Sequence, residues 1–136
     1  MFFISFILLF VAICIYISNR SSDMLIYSFL GIDTNNYLFQ YMRRFYCSIS
    51  WVKYNLPDGL WLLSYLLLME SIWGMQKGIK LIFDIPIIVF AFLMELFQYI
   101  GVFPGTGDIL DLLFYMLSIL TTICITKTIN YYETFN

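Results

Sequence analysis

The sequence predicts an all-α fold: an integral membrane four-helix bundle with an amphipathic, interfacial helical segment between its first and second spans. Three observations lead there. Of the 136 residues, 62% are hydrophobic and 12% charged, and a mean hydropathy of +0.86 is far too apolar for a water-soluble domain of ordinary composition. Apolar runs recur at lengths that suit a bilayer, given about 1.5 Å of rise per helical residue and a ~30 Å hydrocarbon core. No repeat, low-complexity tract or linker divides the chain, so residues 1–136 read as a single membrane domain.

The first span is residues 2–18 of "MFFISFILLFVAICIYIS". It lacks a basic n-region and a small-residue cleavage site, and Asn19 and Arg20 follow at once, so it is expected to be retained rather than cleaved. The interfacial segment, about residues 23–54, carries polar residues every few positions. "DMLIYSFLG" can form a short helix capped by Asp23 and stopped by Gly31. Beyond a cap at Asn36, Leu38, Met42, Phe45, Ile49 and Val52 recur at three- and four-residue steps, the stripe of an amphipathic helix. Tyr37, Tyr41, Tyr46, Trp51 and Tyr54 suit the headgroup layer, where an apolar ring with a polar edge is satisfied on both sides. Packing of the same stripe onto the bundle is the equal alternative.

A Pro57-Asp58-Gly59 turn precedes the second span, residues 59–75. "QKGIK" is a tight connection to the third span, residues 81–102, which contains Asp84, Pro86 and Glu95. "FPGTGD" is the next turn, and residues 109–126 form the fourth span, with Asp111 near its start.

Composition removes several function classes. Nine acids against seven bases give a net charge of -2, so there is no basic field for nucleic acid. The absence of histidine removes the usual neutral-pH general base, a Ser-His triad and the commonest zinc ligand. Cys14, Cys47 and Cys124 are scattered, and two of them lie in apolar runs where a buried thiol is the ordinary reading.

Four crossings place the loop after span one and the loop after span three on the same side. Asp58, Glu95, Gln98, Asp108 and Asp111 therefore gather toward one face of the membrane, together with Arg43 and Arg44. Lysine and arginine do not decide which side that is: termini-inside places Lys77, Lys80 and Lys127 inside against Arg20, Arg43, Arg44 and Lys53 outside. Asp108 suits an N-cap of the fourth span, and Asp111 shares its face one turn on. Glu95 lies roughly 10 Å below the end of its span. A carboxylate at that depth costs on the order of 2.5–3.5 kcal/mol, so it must face the interior, with Gln98 one turn above it. Tyr115, four residues beyond Asp111, offers a phenol on the same face. Helix–helix cohesion is the bland alternative for this set. Arg43 and Arg44 could neutralise it from above or anchor headgroups. At the opposite face Glu70, Asp84, Lys77 and Lys80 read as a snorkelled ion-pair cluster.

The order Glu95-x-x-Gln98, then "PGTGDILD" with Asp108 and Asp111, resembles the core of VanZ-like membrane proteins, a bacterial family named for a teicoplanin-resistance accessory protein. "LPDGLW" is similar to the start of the matching hairpin in some members, and the likeness covers residues 56 to about 120. Many members have an arginine where this chain has Thr106 and an asparagine where it has Tyr115, so an anion-binding role for the turn is not carried over. The resemblance implies a multi-pass protein of the cytoplasmic (inner) membrane, acting at the cell envelope with both termini inside.

The candidate ligand-binding set is thus Glu95, Gln98, Asp108, Asp111 and Tyr115, with Asp58, Arg43 and Arg44 at its rim. Its expected partners are membrane lipid and a polar headgroup, a lipid-linked or glycopeptide-like ligand, or a cation. No catalytic residue, metal ligand or cofactor is assigned. Two further readings stay open. One is a membrane enzyme acting on a lipid-linked substrate through a carboxylate-bound divalent ion. The other is a noncatalytic interaction subunit or small homo-oligomeric pore, for which Ser118, Thr121 and Thr122 would pack helices closely.

Overall fold

The computed structural model describes residues 1–20, 31, 33–44, 47–103 and 107–135, without the side chains of residues 38, 130 and 132–135. Every element among them is helical: α1 (Phe2–Asn19), α2 (Tyr37–Met42), α3 (Ser50–Tyr54), α4 (Leu56–Trp73), α5 (Lys77–Tyr99) and α6 (Ile109–Phe135). The expected helix at residues 23–31, Phe45 and Tyr46 of the interfacial segment, and Thr106 in the last turn lie outside the described residues; Gly31 itself has a left-handed φ of 64°.

α4 is the hub. It packs most extensively against α1 and α6 and more lightly against α5 and α3, while α5 also touches α6. The long helices alternate in direction. The start of α4 meets early α6 through Asn55 and Asp111, late α5 meets the start of α6 through Glu95 and Asp108, and late α4 meets early α5 through Glu70 and Lys80. The core is Leu62, Leu66, Ala91 and Tyr115, with Trp61, Tyr65, Ile88, Phe92 and Leu112 packed around it.

Polar side chains outnumber apolar ones among the buried described residues, while large apolar side chains such as Phe3, Phe10, Ile82 and Leu117 point outward along the helices. Contiguous apolar surface of that extent is foreign to a monomer in water. Two helices, Phe2–Asn19 and Ile109–Ile129, are long and apolar enough to cross a membrane by length and composition.

Small and polar residues set the close contacts. α1 buries Ser5, Ala12, Ser18 and Asn19. α6 buries Asp111, Tyr115, Ser118 and Thr122, spaced by three and four residues and therefore on one face. The Ser118 hydroxyl is 2.7 Å from the Gly59 carbonyl and 2.8 Å from that of Phe114, so it can donate to either. Gly59 is needed there, because a Cβ would stand 2.9 Å from the Phe114 Cβ. Ser118 and Thr122 are therefore engaged within the chain, whereas Thr121 faces outward.

Two elements differ in kind from the sequence reading. Pro57, Asp58 and Gly59 are not a turn before the second long helix but its first turn, since proline lacks only an N–H that has no helical partner at that position. The stripe from Leu38 to Val52 is not one helix: α2 ends at Met42 and α3 begins at Ser50, with Cys47 to Ile49 outside either helix. The interruption has a tertiary cause, for the Cys47 N–H donates to the Asn19 Oδ1 at 2.9 Å and ties the segment to the end of α1.

Candidate functional site

The polar site is assembled around Asn55, the residue between α3 and α4. It is buried, in αR conformation with φ -100° and ψ -35°. Its side chain caps no helix. Instead the single amide group donates to two carboxylates, Asp108 Oδ2 at 3.1 Å and Asp111 Oδ1 at 2.9 Å.

Asp108 also performs the expected N-terminal capping, its Oδ1 accepting the Leu110 N–H at 3.0 Å. Its own N–H donates to the Glu95 Oε1. This bond brings the start of α6 against the last turns of α5, and Gly107 permits it: a Cβ there would lie 2.5 Å from the Tyr99 Cα. Glu95 and Asp111 are 5% and 8% exposed.

Asp58, in the first turn of α4, lies within electrostatic reach of Asp111, Glu95 and Arg20. Tyr115 is buried one turn below Asp111, its ring tilted against Phe92 at a centroid distance of 5.8 Å. The charges of Asp58, Asp111 and Glu95 all reach its hydroxyl. The structure thus gathers Glu95, Asp108, Asp111, Asp58 and Tyr115. Gln98 is half-buried one turn above Glu95, with no hydrogen bond to Glu95 or Asp111 among the described residues.

Neither of the two arginines pairs with the acids among the described residues. Arg43 is exposed, with its Nη2 donating to the Arg20 carbonyl at 3.2 Å and its guanidinium over the Phe39 ring. Arg44 is exposed over Tyr41. The cation whose charge reaches Asp58 and Asp111 is Arg20, held between the rings of Tyr16 and Tyr54 at 5.5 and 5.1 Å from their centroids.

Sequence reasoning missed Asn55 and Arg20. A signal for Asn55 existed, because an Asn shortly before a Pro and an Asp marks a helix start; its link to two aspartates more than fifty residues away had none. Arg20 read only as a flank of the first span.

An apolar groove of about 570 Å³ runs between α5 and α6. Val89, Phe92, Leu93 and Leu96 line one wall and Ile109 and Leu112 the other, with Glu95 and Asp108 also in the lining.

A second polar cluster occupies the opposite end. Lys80 ion-pairs with Glu70 and lies 3.7 Å from the Asp84 Oδ2, beside a small cavity of about 190 Å³ that reaches Thr126 on α6. Among the described residues no group of three or more His, Cys, Asp or Glu side chains is placed to hold a metal ion, and the three cysteines are free thiols. Compared with known proteins, the chain matches no family model, no curated protein and no solved structure.

Proposed function

We propose that the chain is a four-span, multi-pass protein of the bacterial cytoplasmic membrane, VanZ-like in its Glu95-x-x-Gln98 and Asp108-x-x-Asp111 pattern, that binds the polar headgroup of an amphiphilic ligand. Glu95, Asp108 and Asp111 form the floor of the site. Asp58, Gln98 and Tyr115 stand at its margins. In this reading α1, α4, α5 and α6 are the spans, the outward apolar side chains meet lipid, and termini inside would turn the site away from the cytoplasm.

One observation carries the proposal: three carboxylates gather around a neutral polar partner, the Asn55 amide donating to Asp108 and Asp111 while Glu95 takes the Asp108 N–H. Burying a charge without a partner is expensive; Lys80 ion-pairs directly within the Glu70–Asp84 cluster, whereas Arg20 acts on Asp58 and Asp111 only at a distance, with no ion pair to either among the described residues. Asn55 orients Asp108 and Asp111 without neutralising either.

The test is thermal unfolding of the purified protein in detergent, with and without added bacterial polar lipid extract. Ligand binding to the folded state raises the apparent melting temperature. The wild type should be stabilised by the extract, while Glu95→Gln and Asp111→Asn should fold but lose most of that gain. Variants that retain the full gain would make the cluster a purely cohesive one.

A further inference from the structure

We propose that the occupant of this site is a bilayer lipid with a primary ammonium headgroup, one acyl chain lying in the α5–α6 groove and the ammonium on Glu95 and Asp108. The inference rests on the headgroup-binding reading above and adds the chemistry of the ligand and the place of its chain.

The hydrogen-bond inventory decides the headgroup. An ionised carboxylate offers about four acceptor positions. Glu95 receives the Asp108 N–H, Asp108 receives Asn55 and the Leu110 N–H, and Asp111 receives Asn55. Among the described residues acceptor capacity is left over on all three, and the Asn55 amide is already committed to two of them. A site rich in acceptors and negative charge selects a donor-rich cation, and an ammonium brings three N–H donors with no acceptor. A headgroup whose charge is only anionic, with no cation to place on the acids, would meet like charge.

Geometry decides the chain. From Glu95 the groove lining follows α5 down to Ile88, about 10 Å at the helical rise, which lies within the ~15 Å hydrocarbon depth of one leaflet and takes the upper part of an acyl chain. Its volume lies within the ~300–1,000 Å³ usual for ligand sites. The walls are apolar, and the carboxylates of Glu95 and Asp108 occur in the last turns of α5 and at the start of α6. A chain in the groove would therefore deliver a headgroup to the acids.

Native mass spectrometry of the full chain in a neutral detergent tests both parts, with phosphatidylethanolamine, phosphatidylcholine and phosphatidylglycerol as probes. The first two share their phosphate and differ only in the three methyl groups that abolish N–H donation. Wild type should retain phosphatidylethanolamine at least about tenfold over the other two, the worth of one charge-assisted hydrogen bond. Glu95→Gln, or Asp108→Asn if that variant folds better, should remove the preference. Val89→Trp, placed on the exposed wall of the groove away from the acids, should lower retention of all three lipids.

Equal retention of phosphatidylethanolamine and phosphatidylcholine by the wild type, with Glu95→Gln still weakening both, would overturn the ammonium assignment and leave headgroup binding intact. Unchanged binding in Val89→Trp would remove the chain from the groove. No effect of either acid variant on any lipid would take down the headgroup reading itself.

Discussion

The two polar ends of the molecule solve the same problem in different ways. At the α4–α5 turn, Glu70 and Asp84 share Lys80, so buried acids meet a cation supplied by their own hairpin. At the other end Asp108 and Asp111 share Asn55, a neutral donor, Glu95 accepts the Asp108 N–H, and Arg20 acts on Asp58 and Asp111 from between two aromatic rings. The first arrangement is nearly closed in charge. The second is oriented yet still negative, and that residual charge is what the proposed headgroup would meet.

The hardest way to break the comparison is at Lys80. Lys80→Met would leave Glu70 and Asp84 facing each other without a cation, and removing one partner from a buried ion pair costs about 3–5 kcal/mol. The variant should show the largest loss of thermal stability in detergent. Neutralising the acids as well, with Glu70→Gln and Asp84→Asn on the Lys80→Met background, should restore most of it, because replacing a whole buried pair by neutral groups is often harmless. If the triple variant stays as unstable as the single one, the cluster does more than balance its own charge.

Asn55→Leu comes next. The change strips one donor each from Asp108 and Asp111, and orphaning a buried polar partner costs about 1–3 kcal/mol. Stability should fall by less than at Lys80, while lipid retention at the Glu95 end should fall sharply, because the two aspartates lose their common orientation. A stability loss with unaltered retention would mean that Asn55 only cements the helices.

How much of this was legible follows from what each residue announces by itself. The four long helices were visible because long, mostly apolar runs bounded by turn residues read as helices, although the structure moves their limits: residues 81–102 become Lys77–Tyr99, and residues 109–126 extend through Phe135. Glu95, Asp108 and Asp111 were visible because charge in an apolar context is costly wherever it points. Asn55 and Arg20 were not, since a neutral amide before a proline and an arginine at a helix end both have ordinary local roles, and what sets them apart is a partner distant in sequence. The broken stripe after Met42 has the same origin: periodicity alone continues the helix, and the bond from Cys47 to Asn19 stops it.

Gly107→Ala sharpens the contrast from the groove side. The new Cβ would meet the Tyr99 backbone at 2.5 Å, and since backbone cannot rotate away, α6 must retreat from α5 at an overpacking cost of about 1–3 kcal/mol. That retreat lengthens the bond from the Asp108 N–H to Glu95 and opens the headgroup end of the groove. Phosphatidylethanolamine retention should drop, and the Glu70–Lys80 end should keep its hydrogen-exchange protection. Equal loss of protection at both ends would show that they are not separable units.

The smallest effect belongs midway between the ends. Ser118 sits on the same α6 face as Asp111 and Thr122 and bridges to the Gly59 carbonyl, but it carries no charge and its hydroxyl can turn to the Phe114 carbonyl instead. Ser118→Ala leaves the Gly59 carbonyl within its own helical ladder, so no buried acceptor is stranded. Interhelical hydrogen bonds of this kind are worth about 0.6 kcal/mol on average in a membrane setting. The variant should melt within a few degrees of wild type and keep the full lipid preference. A large loss of lipid retention in Ser118→Ala would mean that the acids are positioned by the whole α4–α6 seam rather than by Asn55, and the local contrast between the two ends would no longer hold.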